Sequence, residues 1–105
     1  MRTFLHPARE DLSLPVILYA LGDPVRLRIV EQLAAAREAI SCGDLVVVKE
    51  VPKSTGSHHF KVLREAGLIR MVPQGRRVLV SLRTDDMEAC FPGLMTVILH
   101  AYNKQ

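Results

Sequence analysis

The sequence predicts a single, mainly α-helical domain with one small β-hairpin, and three observations carry that expectation. Apolar residues recur at helical spacing through most of the chain, bounded by start and stop signals such as Ser13, Gly22, Asp23 and Gly67. Two short runs, Leu68 to Val72 and Arg77 to Leu82, alternate instead with the period of a strand. The 105 residues are 49% apolar and 24% charged, the make-up of one folded unit over residues 1–105 without repeats or linkers.

Each element has a local cause. A first helix is expected over Ser13 to Leu21, with Ser13 as N-cap, Pro15 tolerated in the first turn and Gly22 ending it. Asp23 caps a second helix whose first position is Pro24; Leu27, Val30 and Leu33 form its apolar stripe, flanked by Val25 and Ile29, which leaves Arg26, Arg28, Glu31 and Arg37 for the polar side. Ser41 and Asp44 have the spacing of a capping box and predict a short helix from Cys42 to about Val48. Lys49 to Val51 then turn before Pro52, and a further helix runs from Lys53 to Ala66, stopped by Gly67. Its residues Gly56, Phe60, Leu63 and Gly67 share the core face, while Ser54, Ser57, His58 and Lys61 point away.

The β-patterned runs follow directly. A type I turn is expected at Val72-Pro73-Gln74-Gly75, with Gln74, Arg76 and Arg77 at the hairpin tip. Thr84 is expected to cap a closing helical region over 85–103, with Asp85, Asp86 and Glu88 near its N-terminus and Pro92 forcing a kink or restart. From Phe91 to Tyr102 this region is more apolar than one small domain needs to bury, which points to a second subunit.

Charge is concentrated. The segment Lys49 to Arg83 carries +6 and the remainder −3, within a net +3. A positive field so placed attracts nucleic acid through phosphate neutralisation, although a solvated basic surface has the same composition. No apolar run approaches the roughly 18 residues that span a bilayer. His6, Arg9, Glu10 and Asp11 break up the start before a signal-peptide core can form, so a cytoplasmic protein is expected.

Helix, helix, short helix, tight turn, helix, basic hairpin, helix is the order of a winged helix-turn-helix, with recognition helix 53–66 and wing 68–83. The residues also carry a family resemblance. Leu21-Gly22-Asp23-Pro24-Val25-Arg26-Leu27-Arg28-Ile29-Val30 is similar to the "LxDPxRLxIL" opening of the ArsR family of bacterial winged-helix repressors. Ser57 to Ile69 resembles that family's "SHHLKVLREAGLV" recognition helix, and Gly75 to Leu82 its "GRRVxYxL" wing. The resemblance implies a homodimer that binds an imperfect inverted repeat and leaves DNA when an inducer acts. It implies dimerisation through the first and last helices, 13–21 and 85–103, which places Val16, Ile17, Leu94, Met95, Ile98 and Tyr102 at the interface. Half-sites about 34 Å apart follow from the helical turn of DNA.

Lys53, Ser54, Thr55, Ser57, His58 and Lys61 on the helix, with Gln74, Arg76 and Arg77 on the wing, are the candidate DNA contacts. Lysine, hydroxyl and imidazole groups donate to base edges or phosphates, and tip arginines reach the backbone or minor groove. The plainer alternatives are a solvated helix face and solubilising tip charges. His59, beside Phe60, is either a packed histidine joining helices or a base reader. Gly56 departs from the family, where an apolar residue such as Val is usual.

The family's "ELCVCDL" metal motif falls on Ala39 to Leu45, where Ser41 and Gly43 occupy the two cysteine positions, so no Cys-x-Cys chelate forms. The family's "DxH...HxxE" site is matched only by Asp86, Glu88 and His100, with Asn103 in place of the final carboxylate, so no metal or cofactor is expected. His6 and His100 are surface residues or meet across a dimer. Cys42 and Cys90 are either small buried apolar groups or a thiol sensor, Cys42 then being activated by a helix N-terminus. A DNA-binding regulator without enzymatic activity is expected: no nucleophile with its base, paired carboxylates or phosphate loop can be assembled. The alternative is a winged-helix module whose basic face docks an acidic protein.

Overall fold

A computed structural model describes residues 3–104. Helix α1 spans Leu14–Leu21 and α2 Pro24–Ala36. Strand β1, Ile40–Ser41, leads into two 3-10 segments, Cys42–Asp44 and Val46–Glu50. Helix α3 is Lys53–Ala66, followed by β2 (Ile69–Gln74), β3 (Arg77–Leu82), α4 (Thr84–Cys90) and α5 (Leu94–Asn103). The expected mainly α winged helix-turn-helix is the fold observed.

The clearest local signals behave as expected. Asp23 accepts hydrogen bonds from the Val25 and Arg26 amides, at 2.9 and 3.1 Å, and Pro24 opens α2. Ser13 sits at the N-cap of α1 without a side-chain capping bond. Gly67, at φ 89°, ends α3 in the left-handed region, with Gly67 N–H donating to Arg64 O and Leu68 N–H to Leu63 O at 3.0 Å each. A Cβ there would also run into Leu12 and Pro7, so the tight approach of the N-terminal segment adds a second reason for glycine.

The three strands form an antiparallel sheet in the order β1-β3-β2, with Ile40 opposite Val80 and Met71 opposite the same residue from the other side. Ile69, Met71, Val78 and Val80 point into the core. They meet Ile17 and Ala20 of α1, Ile29, Val30 and Leu33 of α2, and Phe60 and Leu63 of α3. Leu45 and Val47 seal the 3-10 region and Met87 and Met95 the C-terminal end.

The structure corrects the sequence expectations in five places. The short helix Cys42–Val48 is two 3-10 segments preceded by a strand, and Ser41 makes no capping bond. Gly43 and the β-branched run Val46 to Val48 weaken helix formation over a length too short to nucleate it, and β3 draws Ile40 and Ser41 into the sheet. The hairpin turns two residues later than expected: Gln74 pairs with Arg77 across Gly75-Arg76, and Gly75 has φ 62°. Pro73 therefore lies in β2, at the edge of the sheet where a missing donor is tolerated. Thr84 is the first residue of α4, not its cap, and Glu88 accepts from Gly93 N–H at 3.2 Å, bracing the break at Pro92.

The remaining two corrections concern burial. Arg26, assigned to the polar side of α2, is 7% exposed, and Leu27 is half-buried instead of central to the stripe. Ile17 is fully buried and Met95 nearly so, both packed within the protomer, which leaves neither with surface to offer a partner subunit.

Candidate nucleic-acid interface

Helix α3 starts immediately after Pro52 and presents two distinct faces. Gly56, His59, Phe60, Leu63 and Ala66 are buried. Lys53, Ser54, Ser57, His58 and Lys61 are exposed together on the opposite side, and Thr55 is half-buried at the boundary. The hairpin places Gln74, Arg76 and Arg77 in solvent at its tip. Eight of the nine expected contact residues are thus exposed, and the ninth, Thr55, is half-buried, on one helix and one hairpin tip.

The buried histidine holds the helix in place. His59 Nδ1 lies 3.2 Å from Arg26 Nη1, so the ring accepts the guanidinium proton there and turns its other nitrogen towards Asp23, 3.9 Å away. Arg26 also donates from Nε to Ala20 O at 2.7 Å and stacks over the Tyr19 ring at 5.4 Å. One guanidinium therefore closes the C-terminal end of α1 and joins α1, α2 and α3. His59 is the packed histidine of the two alternatives. A polar residue on a helix face directly after the α1 stop at Gly22 was the available signal for Arg26.

The +6 segment divides in three dimensions. Arg64 donates to Leu5 O, covers the Phe4 ring at 5.5 Å and fastens the N-terminal segment. Arg83, 6% exposed, donates to Pro7 O at 2.8 Å and to Asp86 at 2.8 Å, and Arg70 lies 3.6 Å from the same carboxylate. Arg9 completes the cluster at 2.7 Å from Asp86. Hydrogen bonds from Arg83 and then Arg9 hold the Asp86 carboxyl below the usual carboxylate range. These cations brace the fold. Among the described residues, Lys49, Lys53, Lys61, Arg76 and Arg77 are exposed and have no carboxylate within 4.0 Å, so they remain for an external anion.

The N-terminal segment was missed by sequence reasoning, because it has neither helical nor strand periodicity. His6, expected at the surface, is half-buried and accepts Met71 N–H on Nε2 at 3.0 Å. His100 is exposed on α5. Cys42 and Cys90 are both half-buried free thiols, and Cys90 Sγ is 3.6 Å from Arg9 O. Cys42 opens a three-residue 3-10 segment, so the α-helix dipole expected to activate it is not formed there. Among the described residues no group of three or more His, Cys, Asp or Glu side chains is placed to hold a metal ion.

Known proteins are similar to this chain in sequence and in fold. A helix-turn-helix domain model matches residues 21–72. The uncharacterised HTH-type transcriptional regulator YceK of Bacillus subtilis is 38% identical over 89 residues, covering 85% of this chain and 89% of that protein. The HTH-type transcriptional repressor SmtB of Mycobacterium tuberculosis is 38% identical over 77 residues, 72% of this chain and 56% of that one. The chain belongs to the ArsR family of helix-turn-helix transcriptional regulators. HlyU from Vibrio cholerae has the same fold with a TM-score of 0.67 at 27% identity, covering 87% of this chain and 91% of HlyU. An ArsR family regulator at 24% identity, with a TM-score of 0.64, agrees in fold. As an ArsR-family protein the chain is a transcriptional regulator and not an enzyme. Among its described residues no helix is long and apolar enough to cross a membrane.

Proposed function

We propose that this ArsR-family chain is a repressor that binds a pseudo-palindromic operator as a homodimer and is released by an inducer. The observation that carries the proposal is the segregation of α3: one face buried, the other a run of Lys53, Ser54, Ser57, His58 and Lys61 without an ion pair among the described residues. A helix of this width enters the major groove, where these donors meet base acceptors and phosphates. Arg76 and Arg77 at the hairpin tip supply backbone or minor-groove contacts.

A second copy is supported by apolar surface left open on a single chain. Leu14, Val16, Leu18 and Tyr19 of α1 and Val97 of α5 are each more than 40% exposed, and Leu94, Ile98 and Tyr102, on the same helix as Val97, are half-buried. Val16, Leu94, Ile98 and Tyr102 form the proposed interface, now without Ile17 and Met95.

Fluorescence anisotropy with duplex DNA from upstream of the protein's own gene, over a salt series, tests the proposal. Tight binding that weakens steeply with salt is expected, and Arg76→Ala with Arg77→Ala weakens binding to all sequences alike. Absent or salt-insensitive binding refutes DNA recognition, and retention of strong binding to an acidic protein instead would favour the docking-module alternative.

A further inference from the structure

A half-open cavity of about 370 Å³ lies between the two 3-10 segments, the first of which contributes Cys42 and Gly43, and the first turns of α3. Its size falls within the range of about 300–1,000 Å³ typical of small-molecule sites. Val48, Val51 and Phe60 give it apolar walls, Gly56 forms part of the lining, and Lys49 and Lys53 stand on its rim.

Gly56 keeps this space open. Glycine inside a helix costs about 1 kcal/mol relative to alanine, and neither backbone nor packing demands it here. Its φ is not positive, and a Cβ would sit 3.7 Å from Val51 Cγ2 and 3.8 Å from Val48 Cγ1, in ordinary contact. The missing side chain enlarges the cavity beneath the recognition helix. The two lysines supply the other half of a binding site: both are exposed, and Glu50, the acidic neighbour of Lys49, is engaged by Arg28 at 2.8 Å.

We propose that this cavity binds a small monocarboxylate with an apolar body, which lies against Val48, Val51, Gly56 and Phe60 while its carboxylate pairs with Lys49 and Lys53. The consequence for DNA rests on the repressor reading above. Lys53 and Ser57 belong both to the cavity lining and to the exposed face of α3. A carboxylate that holds the Lys53 ammonium withdraws one cation from the DNA phosphates, so the ligand is an inducer.

Octanoate is the probe, titrated into the free protein by calorimetry and by amide chemical shifts. Saturable binding is expected, centred on residues 42–60, with octylamine failing to compete because its charge is reversed. Gly56→Val, which projects into the apolar end of the cavity, weakens octanoate at least about tenfold, and Lys49→Gln weakens it too. The melting temperature and the duplex affinity of Gly56→Val verify its fold; if that variant does not fold, Lys49→Gln carries the same comparison, because Lys49 is exposed and lines the cavity. In the presence of DNA, octanoate lowers wild-type affinity at least about fivefold and reduces the salt slope by about one, with no effect on Gly56→Val. No saturation at millimolar octanoate, or equal binding to wild type and Gly56→Val, overturns the site. Saturable binding that leaves DNA affinity unchanged overturns the inducer role. Failure of the free protein to bind any duplex refutes the repressor reading instead, and leaves the octanoate titration to decide the cavity.

Discussion

Arg26 shows how much one side chain can organise. Its guanidinium binds Ala20 O, His59 Nδ1 and, at 3.4 Å, Tyr19 O, from a nearly buried position. Arg26→Met leaves those acceptors unsatisfied and is expected to lower stability by about 2–3 kcal/mol in urea unfolding. Arg26→Lys does not restore it, because a single ammonium cannot span the fork. At His6, burial first, then the charges of Arg64, Arg83 and Arg70, disfavour the imidazolium, and the Phe4 backbone opposes them only in part, so its pKa lies below the ordinary 6.5. The unfolded chain therefore takes up the proton at higher pH than the folded one. The His6 contribution is complete above about pH 6.5 and is lost as pH falls through the window between that value and the folded one. Chemical denaturation at pH 7 and pH 5 should show a loss of stability that is smaller in His6→Gln; an equal loss in both contradicts the assignment.

Among the elements, α3 was legible in the sequence and the region before it was not. Lys53 to Ala66 has a glycine stop and a clean apolar stripe, so both its ends and its faces were read correctly. Residues 40–50 lack such periodicity, and what decides them is the pairing of Ile40 and Ser41 with β3, a partner nearly 40 residues away that no local pattern announces. The hairpin tip failed for a smaller reason: Pro73 suits a turn, but the edge strand accepts it and Gly75 supplies the positive φ instead. The candidate contact residues are still accessible despite these differences, because they lie on the well-patterned helix and at a tip that moved only within itself. At Gly56 the helix has room for a methyl group. Gly56→Ala is expected to stabilise the protein by about 1 kcal/mol, a rise of roughly 4–8 °C in Tm for a domain of this size. Calorimetry checks it, and a lower Tm would show that the backbone there needs glycine.

For the whole molecule, the uneven charge of the sequence becomes a division of labour. Arg64, Arg70 and Arg83 hold the N-terminal segment and Asp86, while five other exposed cations of the same stretch have no carboxylate partner among the described residues. Composition alone could not separate these groups, since the distinction depends on which side of α3 and β2 each one occupies. The apolar surplus read from the last helix has a matching part in α1, where Tyr19 is 68% exposed, against 67% for Val97 in α5. If these surfaces meet in a dimer, Val97→Glu halves the mass seen by light scattering and weakens operator binding, since each half-site is then bound alone. An unchanged mass would place the interface elsewhere.

The claim that the exposed face of α3 reads duplex DNA is tested most directly by the ratio of affinities for the upstream DNA and an unrelated duplex, measured at fixed salt in wild type, Ser57→Ala and His58→Ala. A ratio of at least about 10³ is expected for the wild type, reduced by about 1–3 kcal/mol in one or both variants while binding to the unrelated duplex holds steady. A wild-type ratio near one, or a ratio that neither variant changes, would contradict it.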